Sequence, residues 1–219
     1  QFLPHLACRE DLNRVIMWMC SNLVAGHHRT GGGDMLHDTD RIPGGLLGAD
    51  YAVKNNRYMF GKVYGGLNWN PSLTSPLKQP GIDVKEGEYL LAVDGTELSA
   101  DDNLYRHFEK TSGKIVSITV GPNPDGSGSR TVDVVPISSE YGLRNRDWVE
   151  SNIDKVHRAT NGRAAYVYVP NTAGLGHTYF KRYFFPQADK DAIIIDERFN
   201  GGGQVADYYL DILRRPHIC

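Results

Sequence analysis

The sequence has 219 residues, of which 40% are apolar, so it can bury the core of one large domain or two small ones. Its 24 Lys and Arg residues nearly balance its 26 Asp and Glu residues, and the basic residues are scattered. Such a balance gives no long-range field that attracts phosphate or anionic lipid, and no apolar run approaches the roughly 20 residues that span a bilayer. We therefore expect neither nucleic acid nor a membrane among the partners.

The three cysteines, Cys8, Cys20 and Cys219, are widely spaced and odd in number. This pattern fits neither a disulfide framework nor a C-x-x-C zinc or redox site, so we expect reduced thiols.

The first region, residues 1–40, begins with an amphipathic helix. From Asp11 onward, apolar residues recur at the spacing of one helix face. They are Leu12, Val15, Ile16, Met19 and Leu23. The glycines of 31–33 end this pattern, which places His27 and His28 in a loop after the helix.

The second region, residues 41–139, is predicted to be a compact and mostly β module. Short strands alternate with turn-forming residues, and one short helix is predicted over Asp101–Lys110. The strands are predicted at Tyr58–Tyr64, Tyr89–Val93, Ile115–Val120 and Thr131–Pro136, with a further strand after Gly48.

The third region, residues 140–219, changes character. Two near-continuous apolar runs, Ala164–Val169 and Ala192–Asp196, are typical of buried parallel strands, and the helical pattern between them predicts a βαβ unit. No further strand follows, so the sheet is unfinished. The helices are predicted at Asn145–Thr160, Gly176–Phe185 and Gln204–Arg214.

The segment Gly81–Gly95 reads GIDVKEGEYLLAVDG and resembles the PDZ signature G-x-x-x-x-G-D-x-I-x-x-V-N-G. Glu88 and Asp94 stand where that family usually has Asp and Asn, and both keep a hydrogen-bond acceptor near the turn.

Upstream of this signature, the run GGLLG at residues 44–48 resembles the PDZ loop whose backbone N–H groups receive a peptide carboxylate. The resemblance makes four residues peptide-binding candidates, and an interdomain linker is the alternative reading. They are Gly45, Leu46, Leu47 and Gly48.

The segment Asp191–Gly203 reads DAIIIDERFNGGG and resembles the strand-to-turn segment D-x-R-x-N-x-G-G of tricorn-type and carboxy-terminal-processing serine peptidases. Glycines between a strand and a helix leave backbone N–H groups that can bind an anion. The resemblance implies that the N–H of Gly201 stabilises the oxyanion. Without the rest of the chain, such a turn could also bind phosphate or allow close packing. It lacks, however, the sequence patterns of the P-loop and of the dinucleotide-binding turn.

The loop after the first helix resembles the same family's segment G/S-H-S-x-x-G-G-G-D, and by this match His27 is the general base. His28 replaces the serine that often follows, and Gly26 stands where an assisting serine is usual. Without the rest of the chain, the alternative is that the two histidines are solvent-exposed loop residues with no catalytic role. A metal site, built from the two histidines with His37, Asp38 and Asp40, is not expected because these residues lack ligand spacing.

The order of these motifs resembles that of tricorn-type serine peptidases and implies an α+β multidomain fold. A PDZ-like, partly open β-barrel (41–139) would be inserted between a helical segment (1–40) and an incomplete α/β catalytic domain (140–219). None of the serines matches the family's nucleophile, so the chain alone is expected to be inactive while its parent hydrolyses peptides without a cofactor.

The resemblance also implies peptide substrates, allows a homo-oligomer for the full-length protein, and favours the cytoplasm, with export as the alternative. Two other function classes stay open on the sequence alone. One is a non-catalytic PDZ-type peptide-binding module or scaffold. The other is a nucleotide-binding α/β protein that uses the turn at 201–203.

Overall fold

The computed structural model describes residues 1–34 and 41–215. These residues fall into two compact units that divide between Ile42 and Pro43. Helices and strands are mixed, and the larger sheet is antiparallel.

The first unit contains a short 3-10 helix, Leu3–His5, and helix α1, Arg9–Ser21. The predicted amphipathic helix is confirmed, and it begins two residues before Asp11. The Asp11 carboxylate accepts hydrogen bonds from the N–H groups of Ala7 (3.0 Å) and Cys8 (3.3 Å), which satisfies donors that the first helical turn leaves free.

The second unit opens with an antiparallel sheet in the order β1-β2-β3-β5-β6, with β4 paired to β3. An isolated bridge between Leu46 and Ile137 joins the chain just before β1 to the chain just after β6, so the two ends of the sheet approach each other. The strands are β1 Ala49–Lys54, β2 Arg57–Val63, β3 Tyr89–Val93, β4 Thr96–Glu97, β5 Val116–Gly121 and β6 Arg130–Val134.

Alternating apolar side chains of this sheet form the first core. Phe60, Leu90 and Ile118 come from β2, β3 and β5, and all three are fully buried. Three 3-10 helices connect the strands, at Pro71–Leu73, Pro76–Lys78 and Leu104–Phe108.

A second, two-stranded sheet follows in the same unit. Strands β7 and β8 are parallel, with Ala164 opposite Ala192, and the predicted βαβ unit is thereby confirmed. The elements are α2 Tyr141–Ala159, β7 Ala164–Tyr168, α3 Gly174–Phe184, the 3-10 helix Phe185–Gln187, β8 Ala192–Asp196 and α4 Ala206–Arg214.

The prediction that both strands of this sheet are buried is right for β7 and wrong for β8. Every residue of β7 is buried, whereas Ile193, Ile194 and Ile195 are 36–44% exposed. Within the described residues β8 pairs with β7 alone, so its other edge has no partner strand. The apolar run predicts the strand correctly, but burial also needs neighbours on both sides.

Further expectations concern the helix at 101–110, the domain boundaries, the cysteines and membrane-spanning helices. The helix predicted at Asp101–Lys110 is shorter and is a 3-10 helix, Leu104–Phe108. The domain boundaries at 40/41 and 139/140 stay a prediction. Cys8 and Cys20 are free thiols as expected, and Cys219 lies outside the described residues. Of the helices described, none combines the length and the apolar character needed to cross a membrane.

The first core makes a testable prediction. Phe60 is fully buried and packs against the ring of Tyr51 at 5.6 Å, so Phe60→Ala leaves a cavity and should lower the free energy of unfolding by about 3–5 kcal/mol. Val53 on β1 is 62% exposed, and Val53→Ala should change the free energy of unfolding by less than about 0.5 kcal/mol. Urea unfolding of both variants measures the difference, and equal losses would contradict the assigned core.

Candidate functional site

His27 lies in the turn that follows α1, with a left-handed backbone (φ 67°) and an exposed side chain. It lines a hollow of about 460 Å³ together with Met17, Cys20 and Thr30 of the same unit. Within residues 1–34 its imidazole has no hydrogen-bond partner. Both ring nitrogens are therefore open to a substrate or a hydroxyl group, but no described carboxylate of this unit orients the ring.

The glycine run after His27 folds back on the first turns of α1. The Asn13 side chain donates to the Gly32 carbonyl (3.1 Å), and the Thr30 hydroxyl donates to the Asn13 carbonyl (3.3 Å). Gly33 has φ 89°, and a Cβ there would lie 2.3 Å from the Arg9 guanidinium. The left-handed backbone thus favours glycine at this third position, since the Arg9 side chain could move away from a Cβ.

The four peptide-binding candidates lie in the loop before β1, as predicted, but the N–H groups of three of them already donate hydrogen bonds within the protein. Gly45 donates to the Phe108 carbonyl (2.7 Å), and Leu46 exchanges hydrogen bonds with Ile137 (2.8 and 2.9 Å). Gly48 donates to the Glu140 carboxylate (2.7 Å). Leu47 points its side chain into the core and is 1% exposed.

Two glycines of this loop are required by geometry. A Cβ on Gly45 would lie 2.2 Å from the Thr111 hydroxyl, and Gly48 has φ 75° with Leu143 only 3.0 Å from where a Cβ would stand. Close packing and a positive φ therefore account for the glycines at positions 45 and 48, whether or not the loop binds a ligand.

The acceptor at Gly48 is a residue that sequence reasoning missed. Glu140 immediately precedes α2, and its side chain is 9% exposed. Its carboxylate accepts hydrogen bonds from the N–H groups of Gly48 and Ala49 and from the Arg144 guanidinium (2.6 and 2.8 Å). The spacing of Glu140 and Arg144, one helical turn apart, was the available signal.

The glycine turn after β8 lies beside the end of β7. Its Gly201 N–H donates to the Pro170 carbonyl (3.0 Å), and its Gly202 N–H donates to the Asn200 side chain (2.7 Å). Gly203 has φ 146°, and a Cβ there would lie 2.2 Å from the Thr172 carbonyl. In this structure the proposed oxyanion donor is thus bonded to a carbonyl of the protein, and its catalytic assignment stays a prediction.

Asn171, after β7, is a second residue that the motif search did not find. Its side-chain oxygen accepts from the N–H groups of Ala173 (3.0 Å) and Gly176 (2.8 Å), which satisfies the start of α3, and its carbonyl accepts from the Tyr209 hydroxyl (3.2 Å). A Cβ on Gly176 would lie 1.6 Å from the Asn171 carbonyl, so α3 needs glycine at this position. Asn171 therefore links the start of α3 to α4.

The motif residues Asp196 and Arg198 form an ion pair at the end of β8. The buried Asp196 carboxylate accepts from the Arg198 side chain (2.5–3.0 Å), the Arg198 N–H (2.9 Å) and the Tyr166 hydroxyl (2.6 Å). The Arg198 hydrogen bonds lower the pKa of Asp196 to about 2, against the opposing effect of burial. Burial and the hydrogen bond that the Tyr166 hydroxyl donates to Asp196 raise the pKa of Tyr166 to about 12.

A metal is not expected at any of these places, and within the described residues no three His, Cys, Asp or Glu side chains form a cluster that could hold one. Three of the residues considered for a metal, His37, Asp38 and Asp40, lie outside the described ranges.

The Asp196 pair makes a prediction with a defined pH dependence. Its folded pKa of about 2 lies below the ordinary value of 3.8, so the carboxylate stabilises the fold above about pH 4, and this contribution is lost as the pH falls through about 2. Asp196→Asn should lower the free energy of unfolding by about 2 kcal/mol at neutral pH, and the deficit should shrink toward pH 2.

Urea unfolding at a series of pH values measures this effect. Asp191→Asn is the matched control, because Asp191 pairs with Arg163 at the other end of β8 but is 64% exposed, where an ion pair contributes little. Parallel pH profiles for the wild type and Asp196→Asn would contradict the stabilising role of the carboxylate.

Comparison with known proteins places this geometry in a family. Residues 45–139 match the family model of the tricorn protease PDZ domain. The chain is 28% identical over 216 residues to the tricorn protease of Thermoplasma acidophilum, covering 99% of this chain, and 30% identical over 216 residues to a tricorn protease homolog of Saccharolobus solfataricus, covering 97%. In each case it spans 20% of the relative.

The crystal structure of the tricorn protease superposes on 99% of this chain with a TM-score of 0.83 and 28% identity, and this chain covers 21% of that protein. The chain thus spans about a fifth of the relatives that it matches. The chain is a tricorn-like segment that contains a PDZ domain.

Proposed function

We propose that this chain is part of a serine peptidase of the tricorn type, in which the PDZ domain binds peptide. One observation carries the proposal: the similarity extends over nearly the whole chain, so it includes the histidine loop, the PDZ domain and the glycine turn in a single order. A PDZ module alone would match only residues 45–139.

In this proposal His27 takes the proton from a serine hydroxyl and returns it to the leaving amine. The open ring nitrogens of the exposed imidazole support this role. No serine of the chain stands in the context of the family's nucleophile, so we place that residue in another part of the parent protein. Peptides would be cleaved by acylation of that serine and hydrolysis by water, without a cofactor.

The glycine turn would stabilise the oxyanion through the N–H of Gly201. It follows the carboxyl end of a parallel strand and precedes α4, which is where backbone N–H groups gather around an anion. For this role the N–H must exchange its hydrogen bond to the Pro170 carbonyl for one to the substrate. A shift of the Pro170 peptide on substrate binding would release it.

The histidine is tested in the full-length protein with fluorogenic peptides. His27→Ala should lower kcat by roughly 10²–10⁴-fold, the range of general acid–base catalysis, while His28→Ala should leave it near the wild-type value. Residues 1–219 alone should show no activity. Cleavage by this chain that disappears on His27→Ala would contradict the placement of the nucleophile, and full activity of the His27 variant would contradict the catalytic role.

The oxyanion donor is tested by a pair of substitutions at one position. A Cβ on Gly201 meets only the Pro170 carbonyl oxygen, at 4.0 Å, so Gly201→Ala should be tolerated. Gly201→Pro removes the N–H, and its kcat should fall by roughly 10²–10³-fold with little change in KM. Thermal unfolding must show that the proline variant folds, and equal activity of the two variants would exclude Gly201 as the donor.

A further inference from the structure

We propose that Glu140 is an internal ligand of the loop 45–48, so that this PDZ domain binds extended segments within a polypeptide rather than free carboxyl ends. The inference rests on the proposed peptide binding and specifies which class of peptide is bound. Three observations support it: the loop already holds a carboxylate, the neighbouring cation is engaged, and the edge of β1 is open.

The first observation is the geometry of the carboxylate. One oxygen of Glu140 accepts from two successive backbone N–H groups, those of Gly48 (2.7 Å) and Ala49 (3.3 Å). Convergence of successive loop N–H groups on one oxygen is how such a loop would hold the carboxylate of a peptide. Glu140 therefore occupies the position that a peptide end would take.

The second observation concerns charge. The other Glu140 oxygen accepts from Arg144, whose guanidinium also donates to Asp50 (2.7 Å) and to the Tyr64 hydroxyl (2.9 Å). It lies over the Tyr64 ring, 4.6 Å from its centre. The Arg144 cation is thus shared between two carboxylates of the protein, and a third carboxylate would meet their repulsion.

The remaining N–H groups of the loop offer no substitute site. Gly45 and Leu46 donate to backbone carbonyls. Leu47 has the one N–H of the loop without a hydrogen bond in the described part of the chain, and this residue is 1% exposed. A peptide carboxylate could bind here only by displacing Glu140.

The third observation is the edge of β1. Among the described residues β1 pairs with β2 alone. At its other edge the N–H and carbonyl of Ala49 already bind Glu140 and Arg144, but the groups farther along β1 are free to pair with an added strand. Val53 on this strand is 62% exposed. A segment bound along β1 needs no carboxylate at the loop, because the backbone hydrogen bonds of strand addition do not depend on a chain end.

The experiment uses the isotope-labelled 219-residue chain and two small probes, N-acetylvaline and its carboxamide. In the wild type neither probe should shift the NMR signals of the Gly48 and Ala49 amides. Glu140→Ala empties the loop and removes one of the two carboxylates that share Arg144, so N-acetylvaline should now shift both signals and the carboxamide should not. Glu140→Gln keeps the loop filled without charge and should behave like the wild type.

A control variant separates the loop from the helix. Glu150→Ala makes the same change on the same helix, at a side chain that is 48% exposed and paired with Arg146, and it should not open the loop. N-acetylvaline binding to the wild-type loop, or no binding to a folded Glu140→Ala variant, would overturn the proposal.

A second measurement needs only the wild type, and so does not depend on how the variants fold. One extended peptide is titrated with a free and with an amidated carboxyl end, and the two affinities should agree. A loop that bound the carboxylate would favour the free end by roughly tenfold or more, which would overturn the proposal. If neither peptide binds, peptide binding itself is refuted, while the N-acetylvaline titration still decides whether Glu140 closes the loop.

Discussion

The structure of the second unit depends on a buried carboxylate at the point where the start of α2 meets the start of β1. Glu140 joins the first residues of α2 to the backbone at the start of β1, 92 residues away in sequence at Gly48. A buried anion is stable only when its oxygens are satisfied, and here two N–H groups and one guanidinium do this. An ion pair between Lys62 of β2 and Asp147 of α2 (2.5 Å) is a second link between the helix and the sheet.

Much of the fold was predictable from the sequence because its elements are strongly patterned. Strands β3 and β8 have the predicted boundaries, and α2, α3 and α4 begin within a few residues of their predicted starts. The exceptions have local causes. Strand β4 has two residues, too few for a periodic pattern, and the predicted helix at 101–110 is a 3-10 turn that begins after Asn103, whose side chain caps it.

The candidate site was predictable only in part, because motifs specify turns but not the partners of their N–H groups. The glycine runs correctly indicated close approach, which Gly45 and Gly203 require. The acceptors of the N–H groups of Gly48 and Gly201, however, lie far away in sequence, on Glu140 and Pro170. A glycine-rich loop therefore cannot be equated with an open anion site, since folding satisfies buried donors wherever it can.

Helix α2 contacts both the loop before β1 and the residues that precede the glycine turn. At its start Glu140 binds the loop before β1, and two turns later Trp148 contacts both residues that lead into the glycine turn. Its ring lies 4.9 Å from the Arg198 guanidinium and 6.2 Å from the Phe199 ring. As long as Glu140 stays bound, the loop 45–48 and the residues that precede the turn at 201–203 therefore contact the same helix.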